Sequence, residues 1–333
     1  MFDGKENKLL LDDTQVDAVD RCCDLKIRIV PVTGAAGTGK TTILQNVFRR
    51  LHKQEHSVVL CAPTGKAAKR ITEATGIPAQ TIHRLLEYPH PGEVDPKTGK
   101  TLLTSDPKKD RRNPIAAKVI LVDEYAMVSV EVHRNLLDAM PPGGVIRMFG
   151  DANQLQPIET NKRLQAEPSS FLKMIEKFDG IRLETIHRQA NDSAIITNGQ
   201  RIIKGECPLR KDDFKLVFSQ SPVDAVISFI MDNLAIDIDF GGTTNQIISP
   251  TNKAFITAER QKWSTIEEQR FYVGDKVIFT VNNYGLDVFN GETGIITLFN
   301  ADGSITVDFG DKDITIPVSQ EMEGRNGTYY VNP

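Results

Sequence analysis

At 333 residues, with 40% hydrophobic and 25% charged side chains, the chain has an ordinary globular composition and is too long for one average core, so two or three domains are expected. A formal net charge of −4 excludes a bulk polycation, so any hold on nucleic acid must come from a local groove. No apolar run approaches the roughly 20 residues that span a bilayer, "MFDGKENKLL" has no signal-peptide apolar region, and Cys22, Cys23, Cys61 and Cys207 show neither metal-ligand nor disulfide spacing, so a reducing cytoplasm with no membrane partner is the simplest expectation.

In chain order, residues 27–32 read as a strand, 40–51 as a helix and 57–62 as a strand. "KVILVD" (118–123) and "GVIRMFGD" (144–151) are further apolar strands, each closing on an acidic residue. Short apolar strands alternating with helices predict a parallel, doubly wound α/β sheet. Ligands of such a sheet sit at the carboxyl ends of its strands. From about residue 271 the pattern changes. "VGDKVIFTVNN", "ETGIITLFN", "GSITVDFG" and "DITIP" are short β runs split by Gly, Asn and Asp turns, which predicts a small antiparallel barrel.

The loop between the first strand and the first long helix carries the chemistry. Gly34-Ala35-Ala36-Gly37-Thr38-Gly39-Lys40-Thr41 matches G-x-x-x-x-G-K-[ST] between a strand and a helix, where that motif belongs. Small residues let backbone N–H groups close around phosphate oxygens, and the helix N-terminus adds its positive dipole. Gly34, Gly37, Thr38, Gly39, Lys40, Thr41 and Thr42 are therefore the expected ATP contacts. Lys40 would reach the β- and γ-phosphates, and Thr41 would place its hydroxyl on Mg²⁺. "VILVDEYAMV" supplies the acidic half of such a site, with Asp123 for Mg²⁺ and Glu124 for polarising the attacking water. Two adjacent carboxylates at an apolar strand end are costly unless a cation or water uses them. An NTPase follows from these residues; what its hydrolysis drives does not.

Further segments, in this order, resemble the superfamily 1 helicases of the RecD/Dda-like branch. "LDDTQVDAV" resembles the Q motif, "CAPTGKAAKR" (61–70) motif Ia and "QTIHRLL" (80–86) motif Ib. "VDEYAMVS" stands where the family has a D-E-A-S-M type motif II, "GDANQLQPIE" (150–159) resembles motif III, and "LETIHRQ" (183–189) the start of motif IV. "QIISPTNK" (246–253) and "VGDKVIFTVNNYGLDVFNGETG" (273–294) are similar to the second motor domain and its inserted SH3-like barrel. The resemblance implies tandem RecA-like P-loop NTPase domains, the second incomplete. The implied boundaries are 1–180 for motor domain 1A, with 87–116 as a 1B hairpin insertion, 181–270 for a partial domain 2A, and 271–333 for the SH3-like region.

The resemblance also implies residue roles. Gln15 would read adenine. Gln154 would sense the γ-phosphate, and Arg188 would stabilise charge on the transferring phosphoryl group. Pro63, Thr64, Lys66, Thr81 and His83 would grip the phosphodiester backbone without reading sequence, His83 having a packed interface position as its alternative. Tyr88 and His90, with Pro89 between them, would stack on a base at the root of the 1B hairpin, whose turn is "DPKTGK". Lys108, Lys109, Arg111 and Arg112 form a basic run that suits either phosphate or a solvated face. Trp263, the single tryptophan, reads as core.

The expected activity is ATP-dependent, 5′-to-3′ movement on single-stranded DNA with unwinding of forked duplex, powered by hydrolysis between two RecA-like domains. ATP and Mg²⁺ are the expected cofactors. A monomer, working with replication or recombination proteins in the cytoplasm of a bacterial or phage-infected cell, is the expected state. A loader or switch ATPase, an RNA helicase of the superfamily's RNA-acting branch, and a non-hydrolysing nucleic-acid-binding module are the alternatives. Two departures from the family pattern stand out. Tyr125-Ala126 replaces Ala-Ser after the acidic pair, and the family's later motifs do not precede Pro333. The second implies that the native product continues beyond Pro333 or that another chain supplies the remainder.

Overall fold

The computed structural model describes residues 11–89, 106–185 apart from 158, 160 and 161, 193–229 apart from 212, 222, 223 and 227, and stretches between 273 and 331. The chain divides into two compact units, Met1–Pro208 and Leu209–Pro333.

In the first unit α1 (Asp13–Cys23) leads into β1 (Ile29–Gly34), α2 (Lys40–Lys53), β2 (Val58–Ala62) and α3 (Gly65–Thr75). The short β3 (Gln80–Thr81) and one-turn α4 (Ile82–Leu85) follow. After them come β4 (Val119–Val122), α5 (Val130–Asp138), β5 (Val145–Gly150), α6 (Lys162–Gln165), α7 (Ser170–Lys177), β6 (Ile181–Leu183) and α8 (Ala194–Ile203). The strands form one sheet in the order β3-β2-β4-β5-β1-β6, and every neighbouring pair is parallel. Helices cover both faces, which is why β4 and β5 read as unbroken apolar runs rather than alternating ones. Alternate residues of β4 still part to opposite sides. Val119 and Leu121 join α1, α2 and α3 through Ala18, Ile43, Leu44, Val47 and Ile71. Ile120 and Val122 join α4, α5 and α7 through Ile82, Leu136 and Phe171.

One residue breaks the apolar rule. Arg147, opposite Val30 in the β1–β5 register, is fully buried. Its guanidinium donates to the carbonyls of Cys22 at 2.6 Å, Asp24 at 2.9 Å, Ile27 at 2.9 Å and Ile146 at 3.1 Å. Two of those acceptors close the C-terminus of α1, where a cation also meets the negative end of the helix dipole. The fork of five N–H donors suits this task, because every donor needs an acceptor once water is gone.

The observed elements track the predicted ones with shifted ends. β1 begins two residues later than the pattern suggests and runs to the first glycine of the loop, and α2 extends to Lys53. β6, placed beyond residue 180 and so outside the first motor domain by sequence, is hydrogen-bonded to β1. The first compact unit accordingly continues to Pro208. "QIISPTNK" and Trp263 lie outside the described residues, as do His90 and the turn at 95–100.

The second unit contains β7 (Lys276–Phe279), β8 (Thr293–Phe299), β9 (Ser304–Asp308), β10 (Asp313–Pro317), β11 (Met322–Arg325) and β12 (Thr328–Val331). They form a sheet in the order β10-β9-β8-β7-β12-β11. All pairs are antiparallel except β7 with β12. A bulge between Ile296 and Leu298 bends β8. Val277, Phe279, Val288, Ile296, Ile305, Val307, Ile314 and Ile316 make a core of their own. This curled antiparallel sheet fits an SH3-like domain.

Arg147→Met would leave several buried carbonyls without donors, each at a cost of about 1–3 kcal/mol. We expect the urea midpoint of the first unit to fall by the equivalent of about 3 kcal/mol or more, with Arg147→Lys recovering part of it. An unchanged midpoint for Arg147→Met would show that the clamp contributes nothing.

Candidate nucleotide site

The carboxyl ends of β1 and β4 carry the two halves of the expected site. In the loop after β1, Gly37 (φ 87°) and Gly39 (φ 85°) adopt left-handed backbone that side chains rarely take. Close approach also demands glycine: a Cβ on Gly34 would lie 2.5 Å from the Thr38 hydroxyl and 2.9 Å from Leu183 Cβ, and one on Gly39 would strike the Gln15 amide. Thr38 is buried, and its hydroxyl donates to the Ala35 carbonyl at 2.9 Å. Lys40 Nζ donates to the carbonyls of Gly34 at 2.6 Å and Ala35 at 3.0 Å, so the ammonium lies across the loop that would receive phosphate. Thr41 is exposed on the first turn of α2, with Thr42 half-buried beside it.

Gln15 is tied into the same loop. Its amide donates to the Thr38 carbonyl at 3.1 Å, while its Oε1 accepts from the Asp12 N–H at 3.2 Å. Asp12 in turn accepts from the Gln15 N–H at 2.8 Å, completing a capping box at the start of α1. Gln15 therefore anchors the helix to the loop through both ends of its amide.

Asp123 follows β4 and is buried. Burial is the largest cause pushing its carboxyl up to about 6, and the neighbouring Glu124 charge adds to it; the Glu124 N–H, Lys40 and Arg70 oppose the rise. Its Oδ1 accepts from the Glu124 N–H at 2.9 Å. Glu124 itself takes left-handed backbone (φ 51°, ψ 38°), a conformation that costs a non-glycine residue on the order of 1–3 kcal/mol. Its Oε2 is buried without a hydrogen-bond partner. A carboxyl held near 6 beside an orphaned carboxylate oxygen is a donor set that a divalent cation and an ordered water would satisfy. Mg²⁺ fits it, because that ion is commonly held by one or two carboxylates plus substrate phosphates.

The remaining expected residues divide. Ala152 donates its N–H to the Thr33 hydroxyl at 3.0 Å, which joins motif III to β1. Asp151 is buried and Gln154 is exposed beside it, with the Gln154 N–H on the Asp151 carbonyl at 3.1 Å. Arg188 lies outside the described residues. Thr64 and Thr81 act as helix caps: their hydroxyls accept from the N–H groups of Ala67 at 3.2 Å and Arg84 at 3.1 Å. Pro63 is half-buried, and Lys66 is exposed on the first turn of α3. His83 packs its ring on Tyr88, centroids 4.8 Å apart, and desolvation holds its imidazole below the ordinary range. The Tyr88 hydroxyl accepts from Asn135 Nδ2 at 2.8 Å. Within the basic run, Arg111 is paired with Asp138 at 2.7 Å and Lys109 with Glu87 at 3.3 Å.

Four residues to which the sequence assigns no role join this neighbourhood. The Tyr125 hydroxyl is hydrogen-bonded to His133 Nδ1 at 2.8 Å, and its ring packs against Phe171 with centroids 5.7 Å apart. Glu159, which closes "GDANQLQPIE", is buried and accepts from the Val130 N–H at 2.9 Å.

Comparison with known proteins supplies the context. Residues 10–217 match the family model described as an AAA domain, and residues 252–309 match the ATP-dependent RecD-like DNA helicase SH3 domain. The chain is 29% identical over 297 residues to the ATP-dependent RecD2 DNA helicase of Deinococcus radiodurans, covering 85% of this chain and 38% of that protein. It is 25% identical over 305 residues to the RecBCD enzyme subunit RecD of Mycobacterium tuberculosis, covering 80% and 53%. Over 131 residues it is 30% identical to the ATP-dependent DNA helicase dda of Enterobacteria phage T4, covering 39% and 28%. The chain thus spans about half the length, or less, of these relatives. A solved structure of Pif1 helicases at forked double-stranded DNA shares the fold, with a TM-score of 0.50 and 20% identity over 95% of this chain and 77% of that one.

Burial lowers the His133 imidazole from 6.5 to about 4. A depressed histidine leaves the folded state unprotonated where the unfolded chain already binds a proton. Its contribution is full above pH 6.5 and is lost as pH falls to about 4. The raised Asp123 carboxyl works in the opposite sense. We therefore expect the stability difference between the parent and His133→Gln to shrink by about 2–3 kcal/mol between neutral pH and pH 4. A pH-independent difference in denaturation midpoint would contradict the burial of a neutral imidazole.

Proposed function

The chain belongs to the AAA domain family, in the RecD/Dda-like branch of the superfamily 1 helicases, and on that premise we propose that it carries the ATP-hydrolysing site of a helicase that moves 5′-to-3′ on single-stranded DNA and opens forked duplex. The observation that carries the reading is the pairing of a glycine loop closed by Lys40 with a buried Asp123 and a partnerless Glu124 carboxylate oxygen.

On this reading Lys40 leaves the Gly34 and Ala35 carbonyls for the phosphate oxygens, which the N–H groups from Gly37 to Thr42 surround. Thr41 and Asp123 hold Mg²⁺. When bound, that ion would supply positive charge to offset what develops on the phosphate oxygens. Glu124 Oε2 accepts the proton of the attacking water. Gln154 reports the terminal phosphate, and Arg188 offsets the charge of the transferring group. Gln15 borders the adenine and, through its bond to Thr38, makes the loop sensitive to an occupied site. Lys66, with the backbone of the capped turns at Thr64 and Thr81, faces the DNA phosphates. His83 faces the same phosphates, and Tyr88 and His90 are the residues for stacking on a base. Such contacts suit a motor that steps without reading sequence.

Two variants separate binding from chemistry. Lys40→Ala should abolish Mg²⁺-dependent ATP binding in equilibrium titration. Glu124→Gln should bind ATP normally and hydrolyse it at least about 10²-fold more slowly. Near-parental turnover in either would refute the site. On tailed duplexes, unwinding should require a 5′ overhang, and activity on 3′ overhangs alone would reverse the assigned polarity.

A further inference from the structure

Helix α5 joins three segments that the function places at different tasks. At its first residue, the Val130 N–H donates to Glu159 of motif III at 2.9 Å. Three residues on, His133 is hydrogen-bonded at 2.8 Å to Tyr125, the residue after Glu124. Two residues further, Asn135 donates at 2.8 Å to Tyr88, whose ring lies on His83. Positions 133 and 135 are about 200° apart around a helix, so these two bonds leave opposite sides of α5. The helix is therefore hydrogen-bonded on one side to the residue after the acidic pair and on the other to the His83–Tyr88 segment. Leu136 seats it in the same buried cluster as Ile82, Leu86, Tyr125 and Phe171.

The tyrosine end is coupled to the chemistry by the backbone. Glu124, in its left-handed conformation, opens the single 3-10 turn Tyr125–Met127. A change in the Glu124 backbone on binding nucleotide must move the Tyr125 phenol or strain it. The Tyr125 side chain is fully buried, so it cannot shift without moving its partners. The stretch from Val130 to Asn135 is only about 7–8 Å of rigid helix, short enough to pass a displacement on undiminished.

We propose that α5 couples the nucleotide site to the DNA-facing root of the hairpin insertion, with Tyr125 and Asn135 as the positioning residues at its two sides. The proposal rests on the functional reading above, in which His83 and Tyr88 face DNA. It also gives a role to Tyr125, which stands where the family pattern has a small residue: its hydroxyl provides a link that alanine there could not make.

The test is a thermodynamic cycle on the full chain. The affinity for a fluorescent oligothymidine is measured without nucleotide and with saturating Mg²⁺ and a non-hydrolysable ATP analogue, in the parent, Tyr125→Phe, Asn135→Leu and the double variant. In the parent the analogue should change DNA affinity by about fivefold or more. Each variant should bring that ratio close to one, while nucleotide-free DNA affinity and analogue affinity stay within about twofold. The double variant should lose no more coupling than either single one, because both cut the same link. Parental ratios in both single variants, even with lowered melting temperatures, would overturn the proposal and leave a packing role only. A parent that binds DNA with no response to the analogue also overturns it. A parent that binds the analogue but no DNA overturns the functional reading together with it.

Discussion

A guanidinium sealed from water fixes the frame on which the nucleotide site is built. Moving a charged side chain out of water costs several kcal/mol unless its donors are satisfied. Arg147 meets that cost with backbone carbonyls from Cys22, Asp24, Ile27 and Ile146. The acceptors lie at the end of α1, in the turn after it and on β5, so one side chain ties helix, turn and sheet together. The other end of α1 is tied by Gln15 to the Thr38 carbonyl in the glycine loop. The loop is thus referenced to β5 along the whole length of α1.

Within that frame the site consists of groups whose present partners are poorer than those a ligand would bring. Lys40 is satisfied by two loop carbonyls, which a phosphate group would outbid by charge. Asp123 is a carboxyl whose burial favours its proton, and Glu124 holds a buried oxygen with nothing to accept from. A divalent cation with a bound water would resolve both problems at once. The strain at Glu124 belongs to the same picture, since a left-handed non-glycine residue persists only where its surroundings hold it.

Much of this was legible in the sequence, for identifiable reasons. "KVILVD" and "GVIRMFGD" announce strands because both faces of the sheet are covered. The glycine loop announces its ligand because Gly37 and Gly39 occupy backbone conformations that other residues avoid. The SH3-like sheet was visible as short β runs between turns. What was hidden depends on contacts far apart in sequence. Arg147 sits inside an apolar strand run, and nothing local shows that three of its acceptors lie 120 to 125 positions away. The bond of Tyr125 to His133 and that of Glu159 to the start of α5 are likewise tertiary. Thr64 and Thr81 were readable another way: each precedes a helix and carries the side chain of an N-cap. That signal predicts the cap that the structure shows, and it leaves Lys66 as an exposed charge on the first turn of α3. β6 was hidden because a three-residue strand offers no periodicity.

The central claim is that this site turns over ATP in response to DNA. Steady-state phosphate release, measured with Mg²⁺ and ATP in the presence and absence of single-stranded DNA, tests it most directly. The account predicts a rise of about fivefold or more on adding DNA, lost in Glu124→Gln. Phosphate release that is insensitive to DNA, or that survives the loss of the Glu124 carboxylate, would contradict it.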